Sequence, residues 1–132
     1  MRIRVSPKDD KRTFDRLQIP GALVVFRKRN KLGFLERASK PMLLYNITKS
    51  GICFESDKKF EMGEPVCVDI QIPGERNLKL YGNIKWISDY ISGDSCLIGA
   101  QFTAFGKGHN YNSLKSLDRL RILHAKYGSS DV

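Results

Sequence analysis

The stretch from Val66 to Trp86 constrains the fold more than any other part of the chain, because its apolar residues recur at every second position. Val66, Val68, Ile70 and Ile72 fall on one side, with Cys67, Asp69 and Gln71 on the other. Pro73 and Gly74 then break the run as a turn does. Leu78, Leu80, Gly82, Ile84 and Trp86 resume it, with Lys79, Tyr81, Asn83 and Lys85 facing away. Successive side chains of a strand point to opposite faces, so this spacing predicts two strands, each with one buried and one wet face. Gly82 reads as a bulge or bend in the second strand.

Shorter apolar runs extend the pattern. Ala22 to Phe26 and Met42 to Ile47 read as strands, as do Ile52 to Glu55 after a turn at Lys49-Ser50-Gly51 and Cys96 to Phe105 after Ser92-Gly93-Asp94. Six short strands with regular turns predict a mainly β domain, either a sandwich or a small closed barrel over residues 18–106. Closure is favoured because it leaves no unpaired edge. Beyond the barrel the period changes: Leu114, Leu117, Leu120, Leu123 and Tyr127 recur every three or four residues, as one face of a helix does. That helix is expected at 110–127, started by Asn112 or Ser113 and ended at Gly128. Its stripe reads first as cover for an open end of the barrel, and second as a partner-binding face. Residues 1–17 show no periodicity and read as a flexible basic arm.

The 132 residues suit one domain, and no apolar run approaches a membrane span or a signal peptide, so a cytoplasmic protein is expected. Cys53, Cys67 and Cys96 lie far apart without a C-x-x-C pair, and His109 and His124 are too scattered to join them around zinc, so neither a disulfide framework nor a metal is expected. Charge is uneven. Residues 1–40 carry 12 Lys and Arg against 4 Asp and Glu, whereas residues 41–132 carry 11 against 10. A basic front attracts phosphates, although it also serves plain solubility. The cluster Arg27, Lys28, Arg29 and Lys31 reads first as a solubilising loop tip, with a partner or membrane phosphates as the alternative. No enzyme motif stands out: there is no G-x-S-x-G elbow and no P-loop. Gly106 to Tyr111 only faintly resembles a dinucleotide fingerprint, lacks the third glycine, and reads as a loop.

Two short constellations carry chemistry. Arg12-Thr13-Phe14-Asp15-Arg16 spaces two guanidinium groups four apart, and each fork matches a phosphate or the O6/N7 edge of guanine with paired hydrogen bonds. Asn46-Ile47-Thr48-Lys49-Ser50-Gly51 joins two predicted strands, offering an amide, a hydroxyl and a glycine beside which a ligand can come close. Each alone is weak, since a basic chain often carries R-x-x-x-R and a tight turn often carries Asn, Ser, Thr and Gly. In this order and separation they resemble the PilZ family, marked by R-x-x-x-R in an N-terminal arm and [D/N]-x-[S/A]-x-x-G between early strands. Gly82 to Trp86 and Ile98 to Phe102 look like the family's later G-x-V-x-W and I-G-x-x-F strands. Thr48 departs from the family's Ser or Ala, keeping a hydroxyl and adding a methyl.

The resemblance implies a bacterial six-stranded antiparallel barrel with a C-terminal helix that binds the second messenger cyclic di-GMP and is not an enzyme. By carry-over, Arg12 and Arg16 grip guanines and phosphates while Asn46, Thr48 and Gly51 meet guanine from the barrel. Lys11 adds a phosphate contact or favours a second, stacked ligand. Trp86 reads first as a core residue, from its place on the apolar face of its strand, and second as a base-stacking platform. The implied output is a downstream protein governing motility, attachment or exopolysaccharide. Two other readings stay open: a ligand-silent adaptor of the same fold, and a small basic barrel that binds single-stranded nucleic acid, which needs exposed aromatics among basic residues. No nucleic-acid partner is expected.

Overall fold

The computed structural model describes residues 18–29, 32–92 and 95–128, without the side chains of 89–92. Val66, Val68, Ile70, Leu78, Leu80 and Ile84 all point inward and are buried, as their spacing requires. They belong to strands β4 (Pro65–Gln71) and β5 (Leu78–Ser92), which pair antiparallel from Ile70↔Leu78 to Pro65↔Asn83. With β1 (Leu23–Lys28), β2 (Met42–Ile47), β3 (Gly51–Ser56) and β6 (Ser95–Phe102) they form a closed antiparallel barrel in the order β1-β2-β3-β6-β5-β4. Closure rests on β1. It pairs with β4 from Leu23↔Gln71 to Lys28↔Val66, and with β2 at Leu23↔Leu43 and Val24↔Met42.

The interior is filled by Val24, Phe26, Ile47, Phe54, Ile98 and their neighbours. Phe26 lies 5.3 Å from Phe54 and 5.4 Å from Phe60, ring centre to ring centre, in tilted arrangements that suit aromatic quadrupoles. Cys53, Cys67 and Cys96 are buried and not joined in disulfides, and burial pushes the Cys67 and Cys96 thiols up, which disfavours their thiolate forms.

Two irregularities break the alternation. On β2 the register against β3 shifts between Leu44↔Phe54 and Asn46↔Cys53, so Tyr45 is an extra residue. On β5 it shifts between Ile84↔Ala100 and Trp86↔Gly99, so Lys85 is extra. A bulge resets the phase of a strand. Trp86 therefore leaves the core face that its spacing predicts and is 45% exposed. The bulge also lies three residues beyond Gly82, which stays in unbroken register between Val66 and Phe102.

The helix α1 (Leu114–Tyr127) starts four residues later than expected. Ser113 is its cap, with Oγ accepting from Ser116 N at 3.0 Å. Asn112 is committed elsewhere: only 3% exposed, it accepts from Tyr81 N at 2.9 Å and donates to Tyr81 O at 3.0 Å and Thr103 O at 2.9 Å. It thus fills the place of a missing strand residue where β5 and β6 part. Leu120 and Leu123 of α1 enter the core cluster. Lys126 bonds Glu75, and Arg119 Nη2 donates to Arg76 O at 2.7 Å, tying the helix to the β4–β5 turn.

The basic run at the end of β1 is more structural than a loop tip would be. Lys28 Nζ donates to Lys59 O at 2.7 Å, lies 3.3 Å from the Glu64 carboxylate and sits over Phe60. Arg27 Nε donates to Glu36 O at 2.8 Å, and Arg29 lies over Tyr81. Lys31 lies outside the described residues.

Replacing Asn112 with Ala strips three hydrogen bonds from part-buried backbone groups and should cost about 2–4 kcal/mol. A fall in melting temperature on the order of 10 °C is the expected reading. The Glu75–Lys126 pair gives a pH signature. The hydrogen bond from Lys126 holds the Glu75 carboxyl below its ordinary value, and the same bond raises Lys126. A depressed carboxyl stabilises the fold above its unfolded pKa and loses that contribution as pH falls through the folded one. The urea midpoints of wild type and Glu75→Gln should therefore differ at pH 7 and converge as the solution is taken below the usual carboxylate range.

Candidate functional site on the outer face of the barrel

Paired residues of neighbouring strands share a face, so the ladder registers trace rows across the outside of the barrel. One row runs Asn46, Cys53, Gly99, Trp86 across β2, β3, β6 and β5. The next, nearer the β2–β3 turn, runs Gly51, Gln101, Asn83. Two positions of this region are glycine, Cys53 is buried, and the Trp86 indole covers Gly99.

Each glycine has a packing reason. A Cβ at Gly51 would stand 2.6 Å from the Ala100 carbonyl oxygen, closer than such atoms approach, so β3 and β6 could not pair as they do. A Cβ at Gly99 would stand 2.2 Å from Nε1 of the Trp86 indole, which rests on that residue. Trp86 is thus an aromatic laid on the outer wall at one end of the row. Tyr45, the extra residue of the β2 bulge, is 53% exposed beside Asn46 at the other end.

The turn between β2 and β3 is closed by Thr48. Its N donates to Gly51 O at 2.8 Å, and its Oγ1 accepts from Ser50 N and Gly51 N at 3.0 Å each. The hydroxyl holds the turn in shape, and Asn46 and Gly51 stand at its two ends. Its second neighbour is also hydroxylic, with Oγ1 3.2 Å from Ser50 Oγ. Lys49 is exposed at the tip. Glu55 lies on the same face but farther from the turn, paired with Leu97. The cationic end of the face is therefore the turn end, where an anion is drawn.

Of the residues singled out by the sequence, Asn46, Thr48 and Gly51 come together at this turn, and Trp86 shares the Asn46 row. Lys11, Arg12 and Arg16 lie outside the described residues. Sequence reasoning missed Tyr45, Lys85 and Gln101 as residues of this face. Tyr45 was hidden because a bulge cannot be read from alternation, whereas alternation had already turned Lys85 away from the core without linking it to a site, and Gln101 stood in plain view inside the Ile98 to Phe102 run, flanked by inward residues. Among the described residues no three His, Cys, Asp or Glu side chains group to hold a metal, and no helix is long and apolar enough to cross a membrane.

No protein-family model and no curated protein matches the chain. Among solved structures it is similar to the Bacillus subtilis inhibitor of motility MotI/DgrA, with a TM-score of 0.50 and 16% sequence identity over 92% of this chain. The chain spans about half of that protein, 54% of its length. At this identity the likeness is one of architecture, and it supports a PilZ-like fold for the barrel described above.

Proposed function

We propose that the chain is a cyclic di-GMP receptor that acts as a regulator rather than an enzyme, with the nucleotide held on the outer face between the Asn46–Gly51 turn and the basic N-terminal segment. One observation carries the reading: the β5 bulge turns Trp86 outward into the row that begins at Asn46. A polar turn and an aromatic platform then share one face of the barrel, which suits a flat base that stacks on the indole while its edge meets the turn. Arg12 and Arg16 supply the forks for guanine and phosphate, with Lys11 beside them. Asn46 offers its amide, Gly51 lets β3 close against β6 beside it, and Thr48 holds the shape of the turn. Ordering of the leading segment over the ligand is the signal that a downstream protein reads. The likeness to an inhibitor of motility favours motility as the process controlled, and a cytoplasmic setting fits a receptor for an intracellular messenger.

A second reading draws on the same face. Exposed Tyr45 and Trp86 with Lys49 and Lys85 also meet what a single-stranded nucleic-acid surface needs. Calorimetric titration separates the readings. Cyclic di-GMP should bind the wild-type chain, and Arg12→Ala or Arg16→Ala should each weaken it roughly tenfold or more, from the loss of a charge-assisted contact worth about 1.5–3 kcal/mol. Their melting temperatures should match wild type. Unchanged affinity in both variants rejects the site. No response to the dinucleotide, with oligonucleotide binding that weakens steeply with salt, selects the second reading. Silence toward both leaves a protein-interaction adaptor.

A further inference from the structure

A groove of about 450 Å³ opens on the outer wall, lined by the Met62–Gly63 turn on one side and by Asn83, Lys85 and Gln101 on the other. Its frame is fixed by backbone bonds. Gly63 N donates to Ile84 O at 2.7 Å, Ile84 N donates to Glu64 O at 2.9 Å, and Asn83 Nδ2 donates to Gly63 O at 3.3 Å. Lys85, the extra residue of the β5 bulge, lies in the groove wall. The polar groups are left with capacity to spare. Asn83 uses one amide donor and keeps its carbonyl oxygen, while Gln101 makes no side-chain hydrogen bond and Lys85 no ion pair among the described residues. Gln101 pairs with Gly51, so the groove starts one strand from the candidate turn, and Asn83 lies about 10 Å from Gly51 at two strand spacings.

We propose that this groove is a second guanine subsite, taking the half of the cyclic dinucleotide that the Asn46–Gly51 turn does not hold; the proposal rests on the receptor reading above. Guanine presents two acceptors, O6 and N7, beside the N1–H and N2 donors. The Lys85 ammonium donates to O6 and N7, and the carboxamide oxygens of Asn83 and Gln101 accept from N1–H and N2. The Met62 thioether covers the face of the base. Adenine in the same place turns its N6 amine, a donor, toward the ammonium and has no N1–H to give. The groove therefore selects guanine over adenine through a mismatch of donors as well as a good match.

The test uses two ligands, cyclic di-GMP and the mixed guanine–adenine cyclic dinucleotide, with the full chain and its Lys85→Met and Gln101→Leu variants. Both substituted residues are exposed, so the variants fold, which a melt verifies. Wild type should bind cyclic di-GMP about tenfold tighter than the mixed ligand. Lys85→Met should lose about that factor for cyclic di-GMP and bind the two ligands nearly equally, and Gln101→Leu should move the same way. Binding of cyclic di-GMP that needs Arg12 and Arg16 but ignores Lys85→Met and Gln101→Leu overturns the groove and leaves the receptor reading standing. Equal wild-type affinity for the two ligands overturns it as well. Absence of binding to either ligand sinks both proposals together.

Discussion

Barrel closure through β1 is the constraint on which everything else hangs. A six-residue strand pairs on both edges, with β4 along its whole length and with β2 over its first residues, and so leaves the sheet without an open side. Once the barrel is shut, inward positions have to be apolar and well packed, because no water reaches them to solvate anything else. Outward positions are released from that demand. The wall between β2 and β5 can then carry glycines, a tryptophan and carboxamides at little cost to the core.

The two bulges are the points at which this division is renegotiated. Tyr45 and Lys85 are each one residue more than the facing strand supplies, and each shifts the phase of the strand beyond it. Without the second, Trp86 would join Ile84 in the interior. With it, the indole lies on Gly99, the residue whose missing side chain makes room for it. The outer face is thus shaped by local departures from a regular sheet, which is where strands commonly aim side chains at ligands.

Much of the architecture was legible in the sequence because burial enforces a period. The runs at Val66–Ile72 and Leu78–Ile84 can be assigned to faces by counting, and the helix face by Leu120 and Leu123. The number of strands and the cost of an open edge point to closure. The failures share one physical cause, since phase resets and side-chain substitutes for backbone leave no periodic trace. Alternation puts Trp86 in the core for that reason, and Asn112 reads as one of two candidate caps, beside Ser113, although its amide completes the ladder between Tyr81 and Thr103. Half of the candidate site was legible as a motif around Asn46 and Gly51. The aromatic and groove residues across the wall became visible only when registers joined strands that are distant along the chain.

The clasp made by Asn112 has a mechanical corollary. It binds the strand ends to the residue just ahead of the Ser113 cap, and Lys126 with Arg119 pins the far part of the same helix to the β4–β5 turn. Helix and barrel are therefore geared together at two places and travel as a rigid body unless the clasp is torn open by local unfolding. A lever that swings on a free hinge is not available at this end of the molecule. Whatever information the barrel passes on has to leave through the exposed wall itself or through chain that lies outside the helix.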